Sequence, residues 1–75
     1  MKKGVKLLEV LIERGRVTGY GVDKNGDTID FPLSRSQRNL FLKFSKDTPE
    51  FRKQVIREFG ADILAKGFFV TNKDA

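Results

Sequence analysis

Arg16-Val17-Thr18-Gly19-Tyr20-Gly21-Val22 runs through Asp23-Lys24-Asn25-Gly26-Asp27 into Thr28-Ile29-Asp30-Phe31-Pro32-Leu33, and the rest of the chain is arranged around how these residues pair. Asn25-Gly26 supplies two residues tolerant of positive φ between β-rich flanks, which predicts a hairpin. On the first flank a period-2 pleat sets Val17 and Gly19 against Thr18, Tyr20 and Val22. On the second, Ile29, Phe31 and Leu33 share a face and Asp30 takes the other. Pro32 has no N–H to donate, so it ends the ladder or marks an edge.

Upstream, Val5 to Arg14 supports two readings. As a helix it has Lys6, Glu9 and Glu13 on a polar stripe and Gly15 as C-cap. As a strand it turns Leu8, Val10 and Ile12 inward and reverses at Arg14-Gly15, which makes a three-stranded meander. The strand is favoured, because a lone two-stranded ribbon is a poor platform for the phenylalanines that follow. The run Ile12 to Tyr20 followed by Asp23 to Gly26 resembles hairpins of short uncharacterised proteins from bacteria and their phages, a resemblance that implies no function.

Downstream the chain reads as helical. Ser34 precedes Gln37 at capping-box spacing, which predicts a helix from Arg35 to Ser45 with Leu40, Phe41 and Phe44 inward. Thr48-Pro49-Glu50 starts a second helix: a threonine N-cap, proline at the first helical position and a carboxylate at the positive end of the dipole. Phe51, Val55 and Phe59 give it one apolar face, ending near Gly60. Ala61 to Lys66 is expected to add a helical turn that Gly67 stops, Phe68 to Thr71 a short last strand of unknown pairing, and Asn72 to Ala75 a tail. The expected fold is α+β in a single domain: a small antiparallel β-meander (Val5 to Leu33) packed against two helices, with a short final strand.

A chain of 75 residues has room for one core, and without cysteine it has no disulfide or thiolate metal site to reinforce it. Seven phenylalanines supply large apolar area from few positions. A core this small is compatible with a homodimer. No run approaches the roughly 18 apolar residues of a membrane span. Met1-Lys2-Lys3-Gly4 does not lead into a signal peptide, so a cytoplasmic protein without a membrane partner is expected.

Charge is the main functional signal. From Ser34 to Arg57 there are seven cations (Arg35, Arg38, Lys43, Lys46, Arg52, Lys53 and Arg57) against Asp47 and Glu50, a balance of 7 − 2 = +5, the whole net charge of the chain. Cations clustered on a rigid surface attract phosphates or an acidic protein face. Two readings therefore stand: a nucleic-acid-binding accessory protein, or a protein-interaction module, such as a small regulator or phage-type inhibitor, docking on an acidic protein surface. A helix-turn-helix is disfavoured, because Lys46-Asp47-Thr48-Pro49 lacks the glycine of the tight turn. Tyr20, Phe68 and Phe69 are candidate interface residues: Phe68 and Phe69 are adjacent on a strand, so one faces the core and the other does not.

Catalysis is poorly served, since histidine and cysteine are both absent. An enzyme is not expected, and neither is a cofactor. Asp23 to Asp27 places glycine fourth, where a calcium loop needs it sixth, and Ser34 falls where the bidentate glutamate belongs. Gly15, Gly19 and Gly21 continue as strand where a phosphate loop would open a helix, so close approach of another chain segment explains them better.

Overall fold

The computed structural model describes residues 4–43, 46 and 48–74. In chain order it contains β1 (Lys6–Glu13), β2 (Arg16–Val22), β3 (Thr28–Asp30), α1 (Arg35–Leu42), α2 (Pro49–Phe59), a 3-10 turn (Ala61–Ile63) and β4 (Leu64–Asn72). The α+β class expected from the sequence is what forms, with the first segment a strand. Its turn is tight: Arg14 and Gly15 both lie in the left-handed region, at φ 53° and 71°. Residues of that kind give a two-residue hairpin the twist its strands require.

The second hairpin differs in detail from the two-residue turn read at Asn25-Gly26. Only Gly26 has positive φ, at 85°. The Gly26 amide donates to the Asp23 carbonyl and the Asp23 amide to the Asp27 carbonyl, each at 3.0 Å. The Asp23 carboxylate also accepts from the amides of Asn25 and Asp27. The loop is therefore a longer one in which an aspartate satisfies the turn amides and glycine alone takes the left-handed position. β3 stops at Asp30, before Pro32.

The four strands form one sheet in the order β3-β2-β1-β4, with β1 antiparallel to β2 and parallel to β4. The last strand thus pairs with the first and forms an edge. A bulge at Leu8 corrects the expected pleat: Leu7, Val10 and Ile12 are buried, while Leu8 is half-exposed. β4 is longer than expected. The helical turn foreseen for Ala61 to Lys66 ends at Ile63, because Leu64 pairs with Leu7 and is drawn into the sheet. Gly67, expected to stop a helix, instead has φ 80° inside β4, where the register jumps from Leu7↔Leu64 to Glu9↔Phe69. Asn72 is the final strand residue rather than the start of a tail.

Both helices are capped as their sequences foretell. The Ser34 and Gln37 side chains and backbones exchange both capping-box bonds, and the Thr48 hydroxyl accepts from the Phe51 amide. α1 ends at Leu42 with Lys43 as C-cap, short of the expected Ser45; Phe44, expected in the core, and Ser45 lie outside the described residues. The helices cover one face of the sheet, and the core between them is Val5, Leu7, Val10, Ile12, Val17, Phe31, Phe41, Val55 and Phe68. Phe41, fully buried, is its centre. Its ring lies 5.8 Å from Phe51, 5.9 Å from Phe59 and 6.4 Å from Phe68 in edge-on or tilted pairs. Among the described residues no helix is long and apolar enough to cross a membrane.

Gly19 and Gly21 mark the close approach expected of them. A Cβ on Gly19 would stand 2.6 Å from the Phe31 carbonyl oxygen, and one on Gly21 2.9 Å from a Val5 methyl. The bare backbone of β2 therefore lets Phe31 fold back under the helices.

Two outcomes test this packing. Phe41→Ala is expected to lower unfolding free energy by about 3–5 kcal/mol in urea denaturation. Gly19→Ala is expected to cost about 1–3 kcal/mol by the same measurement, because a backbone oxygen must move, whereas Thr18→Ala next to it stays within about 0.5 kcal/mol.

Candidate functional site

At about 100° per residue, α1 divides its polar side chains between two flanks. Arg35, Arg38 and Leu42 turn toward the β1–β2 hairpin; Ser36, Leu40 and Lys43 turn toward α2. The first flank and the hairpin enclose an open groove of about 670 Å³ lined by Arg14, Arg16, Arg35, Arg38, Asn39 and Leu42, among others. The second flank and α2 enclose another of about 670 Å³, where Lys43 and Arg57 stand with Gln54 and Glu58. Arg35 and Asn39 line both, so the two are continuous along α1. The Ser36 hydroxyl donates to the Glu58 carboxylate at 2.9 Å, which ties the helices together across the second groove.

Of the seven cations singled out in the sequence, Arg35, Arg38, Lys43 and Arg57 converge on these grooves. Arg52, Lys53 and Lys46 line neither. In α2, Gln54, Arg57 and Glu58 line the groove toward α1; Lys53, one turn before Arg57 on the outward stripe, and Arg52 do not. Arg14 and Arg16 join the groove from about 20 residues upstream, and a count of charge along the chain does not bring them together, because the hairpin meets α1 only in the fold. The signal available was Arg14-Gly15-Arg16 itself, two cations bracketing a tight turn.

Cations outnumber carboxylates around the grooves. No carboxylate among the described residues forms an ion pair with Arg14, Arg16, Arg35, Arg38 or Arg57; the ion pair they contain is Lys73–Glu13, at 3.7 Å on the surface. The Arg38 guanidinium reaches the Leu33 carbonyl, at 3.4 Å. Four guanidinium groups around one open concavity repel one another, a setting suited to an anion that accepts two hydrogen bonds at once.

One anion already stands at the hairpin end. The Asp74 carboxylate accepts from the Arg14 amide at 2.7 Å and the Gly15 amide at 2.9 Å. Successive amides in left-handed conformation point the same way and form an anion-binding concavity. The Gly15 and Arg14 amides hold the Asp74 carboxyl below the usual carboxylate value of 3.8. The Lys73 amide donates to the Ile12 carbonyl at 2.8 Å, so the end of β4 is fastened to the hairpin at two consecutive residues.

Of the two adjacent candidates, Phe68 is the one that faces the core, buried against Phe41, so it offers no exposed surface to a partner. Phe69 is 45% exposed and Tyr20 half-buried, both on the sheet face away from the helices.

The Asp74 clasp has a pH signature. A carboxyl whose folded pKa is depressed stabilises fully above its unfolded value and loses that contribution as pH falls through the folded one. Wild type is therefore expected to exceed Asp74→Asn in thermal midpoint at pH 7, with the gap closing below about pH 4, as followed by circular dichroism. Comparison of the chain with protein-family models, with curated proteins and with solved structures finds no match, so its chemistry is read from the site alone.

Proposed function

We propose that this protein is a small non-enzymatic nucleic-acid-binding accessory protein that takes phosphates into the groove between the β1–β2 hairpin and α1. The observation that carries this reading is the meeting of Arg14, Arg16, Arg35 and Arg38, from two separate parts of the chain, around one concavity with no ion-paired carboxylate among the described residues. Guanidinium forks match phosphate oxygens in pairs, and each phosphate neutralised releases counterions. Lys43 and Arg57 extend the track along α1. Among the described residues no aromatic side chain lines either groove, so base stacking has no platform there, and contacts to phosphates are tolerant of sequence.

A second reading keeps the same groove and exchanges the ligand for an acidic protein surface. Leu42, 49% exposed at the groove, favours it, because an apolar side chain among arginines suits a protein partner better than a phosphate backbone.

Fluorescence anisotropy with labelled duplex DNA, single-stranded DNA and RNA of random sequence separates the two. Micromolar binding is expected, with log K falling against log salt at a slope of about −4 to −5 for a duplex if the groove neutralises five phosphates or so. The double variant Arg35→Glu/Arg38→Glu is expected to lose more than tenfold in affinity, and Lys53→Glu, outside the groove, much less. Absence of binding to all three probes at micromolar protein and near-physiological salt removes the nucleic-acid reading and leaves the acidic-protein one.

A further inference from the structure

The sheet face turned away from the helices carries no other described element. Register places Phe69, Glu9, Tyr20 and Asp30 side by side across β4, β1, β2 and β3, so aromatic rings and carboxylates alternate along one row. Adjacent strands are about 4.8 Å apart, which sets each ring of Phe69 and Tyr20 one strand spacing from the Glu9 carboxylate. The Thr71 hydroxyl donates to Glu9 Oε2 at 3.0 Å and holds that carboxylate part-buried in the row. The chain has 15 lysines and arginines, yet none among the described residues forms an ion pair with Glu9 or Asp30.

A bare sheet bearing aromatic rings invites base stacking. Here the two carboxylates oppose it, because a nucleotide laid on this row brings its phosphates against Glu9 and Asp30. A cationic side chain meets the opposite situation. Its charge is attracted to the oriented carboxylate and to the negative faces of the rings, and its aliphatic stem covers the exposed Phe69.

We propose that this row is a docking surface for a basic, extended segment of a partner protein, with Glu9 receiving a lysine or arginine between Phe69 and Tyr20, and Asp30 a second one further along. Charge complementarity selects the partner: the row is acidic and aromatic on a chain of net charge +5. Cations alternating with apolar residues in the partner segment present their charged side chains to one face, as the row requires. The surface lies across the sheet from the basic groove and does not depend on what that groove binds.

The test is a titration of the ¹⁵N-labelled protein with a blocked peptide, acetyl-Thr-Arg-Val-Arg-Thr-amide, and with its counterpart in which norleucine replaces both arginines. The arginine peptide is expected to shift the amides around Glu9, Leu11, Tyr20 and Phe69 in a saturable way. The variants Glu9→Gln and Phe69→Thr are expected to weaken it by about tenfold each while keeping the wild-type circular dichroism spectrum. Equal binding of the norleucine peptide, shifts confined to the helices, or no saturable shift would each overturn the proposal. So would shifts of the same amides on adding a single-stranded oligonucleotide, or on concentrating the protein alone, which would assign the face to bases or to a second copy.

Discussion

The packing of Phe41 against Phe51, Phe59 and Phe68 is the interaction on which the rest of this structure depends. α1 has eight residues and α2 eleven, lengths at which an isolated helix is unstable in water. Neither persists without a surface to lie on, and the surface is made by one ring of α1 that touches α2 on one side and the last strand on the other. Each such pair contributes about 0.5–1.5 kcal/mol beyond the area it removes from water, a large share of what a domain of this size has. Once Phe41 is inward, the helical turn sends Arg35 and Arg38 to the flank that meets the hairpin. The basic groove is a consequence of the core.

The hairpin end shows the same economy. Arg14 takes a left-handed conformation that is unfavourable for a residue with a Cβ, and the exposed amides of the turn are satisfied by Asp74. A carboxylate near the end of the chain thereby orders the turn that carries Arg14 and Arg16, and its charge offsets part of theirs. Without disulfides, such fastening of the last strand to the first hairpin does some of what a crosslink does in other small domains.

The two sides of the sheet are electrically distinct. Arg35 and Arg38 of α1 face the arginines of the hairpin end; the bare side alternates aromatic rings with Glu9 and Asp30. Net charge alone describes a uniformly basic particle, whereas the fold gathers arginines in one place and sets carboxylates among aromatic rings in another. The separation follows from pleat and helix periodicity, which send neighbours in sequence to opposite surfaces.

Local signals were legible in the sequence wherever one residue type answers one backbone requirement. The hairpins, the Ser34 capping box, the Thr48-Pro49 helix start, the role of Gly19 and Gly21 and the apolar face of α2 all belong to this class, because caps, turns and close approaches depend on a few consecutive residues. What depended on distant partners was not legible. Leu64 is a strand residue only because Leu7 is there to pair with it, and Gly67 lies in a bulge only because β4 must match a bulged β1. Of Phe68 and Phe69, alternation requires that one be buried, but only the position of Phe41 chooses which. The charge excess by itself marks residues 34–57 as basic; tertiary structure brings Arg14 and Arg16 beside Arg35 and Arg38 and leaves Arg52 and Lys53 outside the grooves. The physical reason is the same throughout: steric preferences of the backbone act over a few residues and are written in order, whereas convergence of charge and apolar area is decided in space by how the elements pack.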